Sequence, residues 1–250
     1  MLLTLEQARK AVNLTTTLKK LGDGWSELSS WVTGIPGQSI SKVQSFSDTA
    51  GIIFNGKEHL VVFPGTDSPE DIIIDLHFVQ ETTPYGRMHT GFYDAWRGYE
   101  SGLSRYLEAN DPDKSIPITV AGHSLGATMA LLAANYLARQ GYIVKETMVF
   151  GSPRVGDKTW VQSCSEAGVK VVRVVNDQDI ITRVPWFWGY EHVGEAFYLD
   201  KKGNGRETRP FSPWFWLIGA WSWVLPFSIT DHKITEYQKK TSHYLDGLPQ

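Results

Sequence analysis

Between residues 118 and 175 the chain alternates short, continuously apolar runs with amphipathic stretches, and no other feature restricts the fold as much. Ile118-Thr119-Val120-Ala121 and Thr147-Met148-Val149-Phe150 read as strands buried on both faces, and residues 169–175 as a third. Between the first two, Leu125, Met129, Leu132, Tyr136 and Leu137 recur at helical spacing. A short helix is expected near Trp160. Strands without polar alternation, separated by helices, predict an α/β fold: a mostly parallel central sheet with helices on both faces. Upstream, Phe92, Ala95, Trp96, Tyr99, Leu103, Tyr106 and Leu107 predict a helix over about 90–109. The β-runs 51–54 and 59–63 flank Asn55-Gly56, so an antiparallel hairpin is expected near one edge. Thr4 with Gln7 reads as a capping box that opens a first helix.

A chain of 250 residues fits one such domain, and no linker or repeat divides residues 1–250. The formal net charge of -3 leaves no electrostatic footprint for nucleic acid. Lys201-Lys202 and Lys239-Lys240 are only pairs and read as solvated surface. Cys164, the single cysteine, rules out an intrachain disulfide and reads as a small buried apolar residue. The N-terminus turns polar too early for a signal-peptide core, so the expected location is cytoplasmic, or outside after release without a signal of the usual kind. Residues 205–229 form an aromatic, apolar insertion, charge-free from 211 to 229 and long enough to weigh as a membrane span. Pro213, Pro226 and the density of tryptophan argue against a span, since tryptophan favours the membrane interface.

The chemistry centres on Gly122-His123-Ser124-Leu125-Gly126, a G-x-S-x-G match lying directly between a predicted strand and a predicted helix. A sharp strand-to-helix turn there pushes the serine hydroxyl out above the sheet, and glycines permit the turn. The alternative is an ordinary turn serine capping the helix. As a nucleophile, Ser124 needs a base and an orienting acid, which in hydrolases with this elbow follow it in the order acid, then histidine. Asp177 and Asp179, just beyond the strand at 171–175, compete for the acid. His192, His232 and His243 compete for the base. The free N–H of Leu125 at the helix start is one oxyanion donor. His89 and His123 read as structural. Asp67, Glu70, Asp71 and Asp75 could be imagined as a metal cluster, but helix-start charge preference explains the first three more simply, and with no metal motif present no metal or cofactor is expected.

From about residue 54 to 237 the chain resembles the class 3, fungal-lipase-like branch of the α/β-hydrolases. The match rests on Phe63-Pro64-Gly65-Thr66, Met88-His89-Thr90-Gly91-Phe92, the Ser124 pentapeptide, Phe150-Gly151-Ser152-Pro153-Arg154-Val155-Gly156 and Val175-Asn176-Asp177-Gln178-Asp179-Ile180, in that order. The resemblance implies Asp179 as the acid, with Asp177 a supporting loop residue. It implies His232, in Asp231-His232-Lys233-Ile234-Thr235-Glu236-Tyr237, as the base, with His243 as fallback and His192 structural. It also implies Thr66 as the second oxyanion donor. Pro64 departs from the family, where many members carry arginine. Residues 67–84 match the family's lid in position and carry Ile72, Ile73, Ile74 and Leu76; a cover and a packed surface helix are both open.

The implied activity is hydrolysis of carboxylic esters through an acyl-enzyme. The aromatic mass between Asp179 and His232 tilts the substrate toward acylglycerols or other long-chain lipid esters, with transient contact at a lipid interface and no obligate protein partner. A buried aromatic core or an oligomer contact is the other reading of that mass. A short-chain esterase, a phospholipase A and an acyltransferase would use the same triad, and a non-catalytic lipid- or membrane-binding relative is the remaining alternative.

Overall fold

The capping box predicted at the start of the chain is closed in the computed structural model. Gln7 N–H donates to Thr4 Oγ1 at 3.2 Å, and Thr4 N–H donates to Gln7 Oε1 at 3.1 Å, opening α1 (Leu5–Gly22). Ala8, Ala11, Leu14 and Leu18 form one helical face of α1 and are buried. The structure describes residues 2–22, 42–47, 50–54, 57–65, 79–177, 179–186, 189–208 and 229–249.

In chain order the described strands are β1 (Lys42–Ser47), β2 (Ala50–Phe54), β3 (His59–Phe63), β4 (Gln80–Thr83), β5 (Gly86–His89), β6 (Ile118–His123), β7 (Val144–Phe150), β8 (Val171–Asn176), β9 (Glu195–Leu199) and β10 (Gly205–Arg206). The described helices after α1 are α2 (Thr90–Asn110), α3 (Leu125–Arg139), α4 (Lys158–Glu166), α5 (Ile229–His232) and α6 (Ile234–Asp246). The central sheet runs β1-β2-β3-β6-β7-β8-β9-β10, and β4 with β5 makes a separate ribbon. From β3 to β9 neighbouring strands are parallel; β1, β2 and β10 add antiparallel edges. The hairpin expected from Asn55-Gly56 is the β2–β3 pair, in register with Phe54 opposite His59, although the two turn residues lie outside the described residues.

Every residue of β6 and β8 is buried, as strands covered on both faces require. Their side chains divide by the two-residue period. Val61, Phe63, Val120 and Val149 pack with α2, α3 and α4. Val62, Ala121, Met148, Phe150, Val172 and Val174 pack against α1 and α6. Helices thus cover both faces, as the alternation of elements predicts. Cys164 is buried within α4, and burial pushes its thiol up to about 12, so it is inert as a nucleophile.

The expectation that Lys239-Lys240 is a solvated pair is wrong for one of its members. Lys239 is exposed, whereas Lys240 falls on the buried face of α6 beside Tyr237 and Thr241 and is only 6% exposed. Residues 66–78 and 209–228 lie outside the described residues, and with them Thr66, most of the lid-like segment and nearly all of the aromatic insertion. The end of the lid-like segment forms β4. Among the described residues, no helix is long and apolar enough to cross a membrane.

The two elbow glycines are fixed by close approach. A Cβ on Gly122 would lie 2.1 Å from Gly126 O, and one on Gly126 would lie 2.2 Å from Phe63 O. These contacts bring the start of α3 against the end of β3. Gly126→Ala is expected to overpack this junction by about 3 kcal/mol. That lowers Tm by about 6–12 °C for a chain of this size. A melt within 2 °C of the parent, a threshold set at about 1 kcal/mol, would show the junction is slack.

Candidate active site

Ser124 sits where β6 passes into α3. Its N–H donates to Phe150 O at 3.0 Å, a last rung beside the strand, and its backbone then turns to φ 56° and ψ -125°. Positive φ is costly for a residue with a Cβ and is maintained here by the packing of β6 and α3 around it. Ser124 occupies the N-cap position of α3 but makes no side-chain capping bond. Its hydroxyl instead donates to His232 Nε2, at 2.7 Å. Leu125 is the first residue of α3, where a backbone N–H has no intrahelical acceptor.

His232 closes the short α5, and its Nδ1 lies 3.0 and 2.9 Å from the two carboxylate oxygens of Asp179, just past β8. A carboxylate only accepts, so Nδ1 carries the proton and Nε2 is left to accept from Ser124. Asp179 is held from two further directions: Ile181 N–H donates to Oδ1 at 2.9 Å and the Tyr237 hydroxyl to Oδ2 at 2.6 Å. Ser124, Asp179 and His232 are all fully buried. Of the two competing aspartates, therefore, Asp179 rather than Asp177 meets the His232 ring. Asp177 is buried at φ 33°, with its N–H on Leu199 O at 2.7 Å. His192 Nε2 donates to Thr182 O at 2.9 Å, a structural bond, and His243 is exposed on α6. Asp67, Glu70, Asp71 and Asp75 lie outside the described residues, as does Thr66.

His123 has a more specific place than a structural histidine in general. Its ring stacks on that of His232 with centroids 4.8 Å apart, and its Nε2–H donates to the His232 carbonyl at 2.7 Å. Burial pushes its pKa down to about 3, and the neighbouring His232 adds to the effect. His89 caps α2, accepting from Phe92 N–H at 3.4 Å, and burial lowers it to about 4. Both histidines are neutral when folded and titrate at higher pH when unfolded, so the unfolded chain binds more protons below about pH 6.5. Stability is full above that pH and declines as pH falls toward 4 and then 3. Each histidine contributes up to about 1.4 kcal/mol per pH unit. Urea midpoints measured from about pH 6.5 to 5.5, above the carboxylate range, should therefore drop; a flat midpoint contradicts the assignment.

Tyr237, Asn176 and Lys240 are parts of the site to which the sequence reading gave no role. Asn176 and Tyr237 lie inside the motif blocks at 175–180 and 231–237, but only the folded chain turns them toward Asp179 and His232.

A serine on a strand-to-helix elbow, at the carboxyl ends of parallel strands and hydrogen-bonded through a histidine to an aspartate, is the arrangement of an α/β-hydrolase. The family model for lipase (class 3) matches residues 60–188, and the chain belongs to that family. A lipase of Rhizomucor miehei is 31% identical over 173 residues, covering 64% of this chain and 47% of the relative. Phospholipase A1-Igamma2 of Arabidopsis thaliana is 33% identical over 121 residues, covering 38% of this chain and 23% of the relative. The chain thus spans less than half the length of these two relatives. The solved structure of the Rhizomucor miehei triacylglyceride lipase superposes with a TM-score of 0.69 at 24% identity, over 90% of this chain and 93% of that one. At that identity the superposition establishes the fold.

Proposed function

We propose that the protein is a serine carboxylic-ester hydrolase acting on lipid esters, with Ser124, His232 and Asp179 as its catalytic residues. The observation that carries this reading is the unbroken hydrogen-bonded chain from Ser124 Oγ through the His232 ring to the Asp179 carboxylate. In it, Ser124 Oγ attacks the ester carbonyl while His232 Nε2 takes the hydroxyl proton, and Asp179 stabilises the imidazolium. The Leu125 N–H and Thr66 hold the developing oxyanion. His232 returns the proton to the departing alcohol, leaving an acyl group on Ser124. It then deprotonates the water that releases the acid.

Long-chain acylglycerols are the favoured substrate class. The support is the lipase character of the similar fungal protein and the position of exposed Trp186, next in sequence to the aromatic residues at 187–188, and of exposed Val79, within the lid-like segment. A phospholipase A reading has its own support in the plant relative, which is named a phospholipase A1. Initial rates on p-nitrophenyl esters from short to long acyl chains, below and above micelle formation, test the reading. They should be paired with dioleoylglycerol and phosphatidylcholine as substrates. Rates that rise with chain length and at the interface support a lipase. Turnover confined to short chains leaves an esterase, and preference for phosphatidylcholine moves the assignment to a phospholipase. Acyl transfer to added alcohol in preference to water would make the protein an acyltransferase.

A further inference from the structure

We propose that Asn176 and Lys240 form a positioning pair that sets the alignment of His232 on Asp179; this deepens the hydrolase reading and rests on it. Asn176 is the last residue of β8 and is fully buried, and all four of its polar groups are engaged. Its N–H donates to the Tyr237 hydroxyl at 3.1 Å, and its carbonyl accepts from Asp179 N–H at 2.8 Å. Its side-chain Nδ2 donates to Asp231 O at 2.6 Å, and its Oδ1 accepts from Lys240 Nζ at 2.6 Å. The backbone pair leads to the acid, because the Tyr237 hydroxyl in turn donates a hydrogen bond to Asp179 Oδ2. The Nδ2 bond leads to the base, because Asp231 immediately precedes His232. One residue therefore ties the end of the acid strand to the turn that carries the histidine.

An amide, with a donor at one atom and an acceptor at the other, matches both ends of this bridge. The Asp231 carbonyl accepts and cannot donate, while the Lys240 ammonium donates and cannot accept. A carboxylate at position 176 would set oxygen against oxygen, and an apolar side chain would leave both neighbours unsatisfied. Lys240 also decides which way round the amide sits, since only Oδ1 can face an ammonium. Its burial is the independent observation. Lys240 keeps a side-chain exposure of 8%, with Asp231 Oδ1 3.5 Å away, although an ammonium is costly to withdraw from water. Lys239, one residue earlier, is exposed on the same helix. The charge of Lys240 also opposes the effect of burial on Asp231, to which Asp177 and Asp179 are electrostatically coupled. An ammonium kept at this cost, and bonded most closely to the bridging amide, is placed to hold that amide in register.

Three variants test the pair. Asn176→Asp keeps a partner for Lys240 and replaces the donor to Asp231 with an acceptor. Lys240→Met keeps the aliphatic stem and removes the donor, and Lys240→Gln returns a neutral donor. Rates are read with p-nitrophenyl butyrate, folding by thermal melts, and alignment by the downfield proton resonance of the His232 Nδ1–H. Asn176→Asp and Lys240→Met are expected to lower kcat about ten- to hundredfold, as misplacement of a catalytic group on the ångström scale does, with KM within about twofold. The double variant should lose no more than the worse single, as members of one chain do. Lys240→Gln should recover part of the loss, and the His232 resonance should shift or broaden in Asn176→Asp and Lys240→Met. Values of kcat within twofold of the parent, or losses that multiply in the double variant, overturn the proposal. If Lys240→Met fails to fold, Asn176→Asp and Lys240→Gln still decide it. A parent without ester turnover sinks the hydrolase reading, whereas a His232 resonance unmoved by either substitution sinks the positioning pair, so the two failures are distinct.

Discussion

The Ser124→Ala variant is expected to retain about 10⁻⁵ to 10⁻⁶ of the parent's kcat on any ester the parent cleaves. The loss is that large because the remaining groups have nothing to activate. His232 Nε2 loses its hydroxyl partner, and water held in its place has no geometry set by the elbow. Substrate binding uses surfaces that the substitution leaves alone, so KM should change little. Alanine has the same backbone preferences at φ 56° as serine, and the melting temperature should stay near that of the parent. Steady-state kinetics beside a thermal melt separates loss of the nucleophile from loss of the fold. A residual activity above about one per cent, in protein free of parent contamination, would mean that another group carries the reaction.

Asp179→Asn should come next in size, with kcat reduced about 10⁴-fold at neutral pH. The carboxylate now faces three donors: Ile181 N–H, the Tyr237 hydroxyl and His232 Nδ1–H. An amide in its place has one oxygen and one NH₂ group, and an NH₂ turned to the histidine makes Nδ1 an acceptor. The ring then carries its proton on Nε2, where it opposes the Ser124 hydroxyl instead of accepting from it. The substitution also removes the charge that stabilises the imidazolium. Because volume and shape are nearly kept, the fold and KM should survive. A loss smaller than about tenfold at neutral pH would show that the histidine does not depend on Asp179 for its tautomer.

These two residues were legible in the sequence to different degrees, for physical reasons. Ser124 is local: a strand, a turn with glycines on both sides and a helix all lie within about twenty residues, and each leaves its own pattern. The central sheet was legible for the same reason, since strands buried on both faces show as unbroken apolar runs at 118–121 and 147–150. The acid and base are not local. By residue pattern alone Asp177 and Asp179 both read as turn residues; the family resemblance singled out Asp179, and the fold sets it against a ring 53 residues away. Strands β4 and β5 escaped notice because Gln80–Thr83 and Gly86–His89 carry few apolar side chains and so show no alternation. Lys240 was misread for a related reason. A lysine in a polar helix pattern looks solvated, and its burial depends on an acceptor that β8 brings from 64 residues away. Tyr237 sits in the motif block at 231–237, yet its bond to Asp179 is a property of how α6 packs on the sheet.

The most direct test of the central claim, that Ser124 is the nucleophile activated by His232, is covalent capture with a p-nitrophenyl alkylphosphonate. The reagent is attacked as an ester would be but leaves a stable adduct. The account predicts one phosphonyl group per chain by intact mass, located on the peptide containing Ser124, absent in Ser124→Ala and formed far more slowly in His232→Ala. A parent that hydrolyses esters yet takes up no adduct on Ser124, or takes it up equally fast without His232, would contradict it.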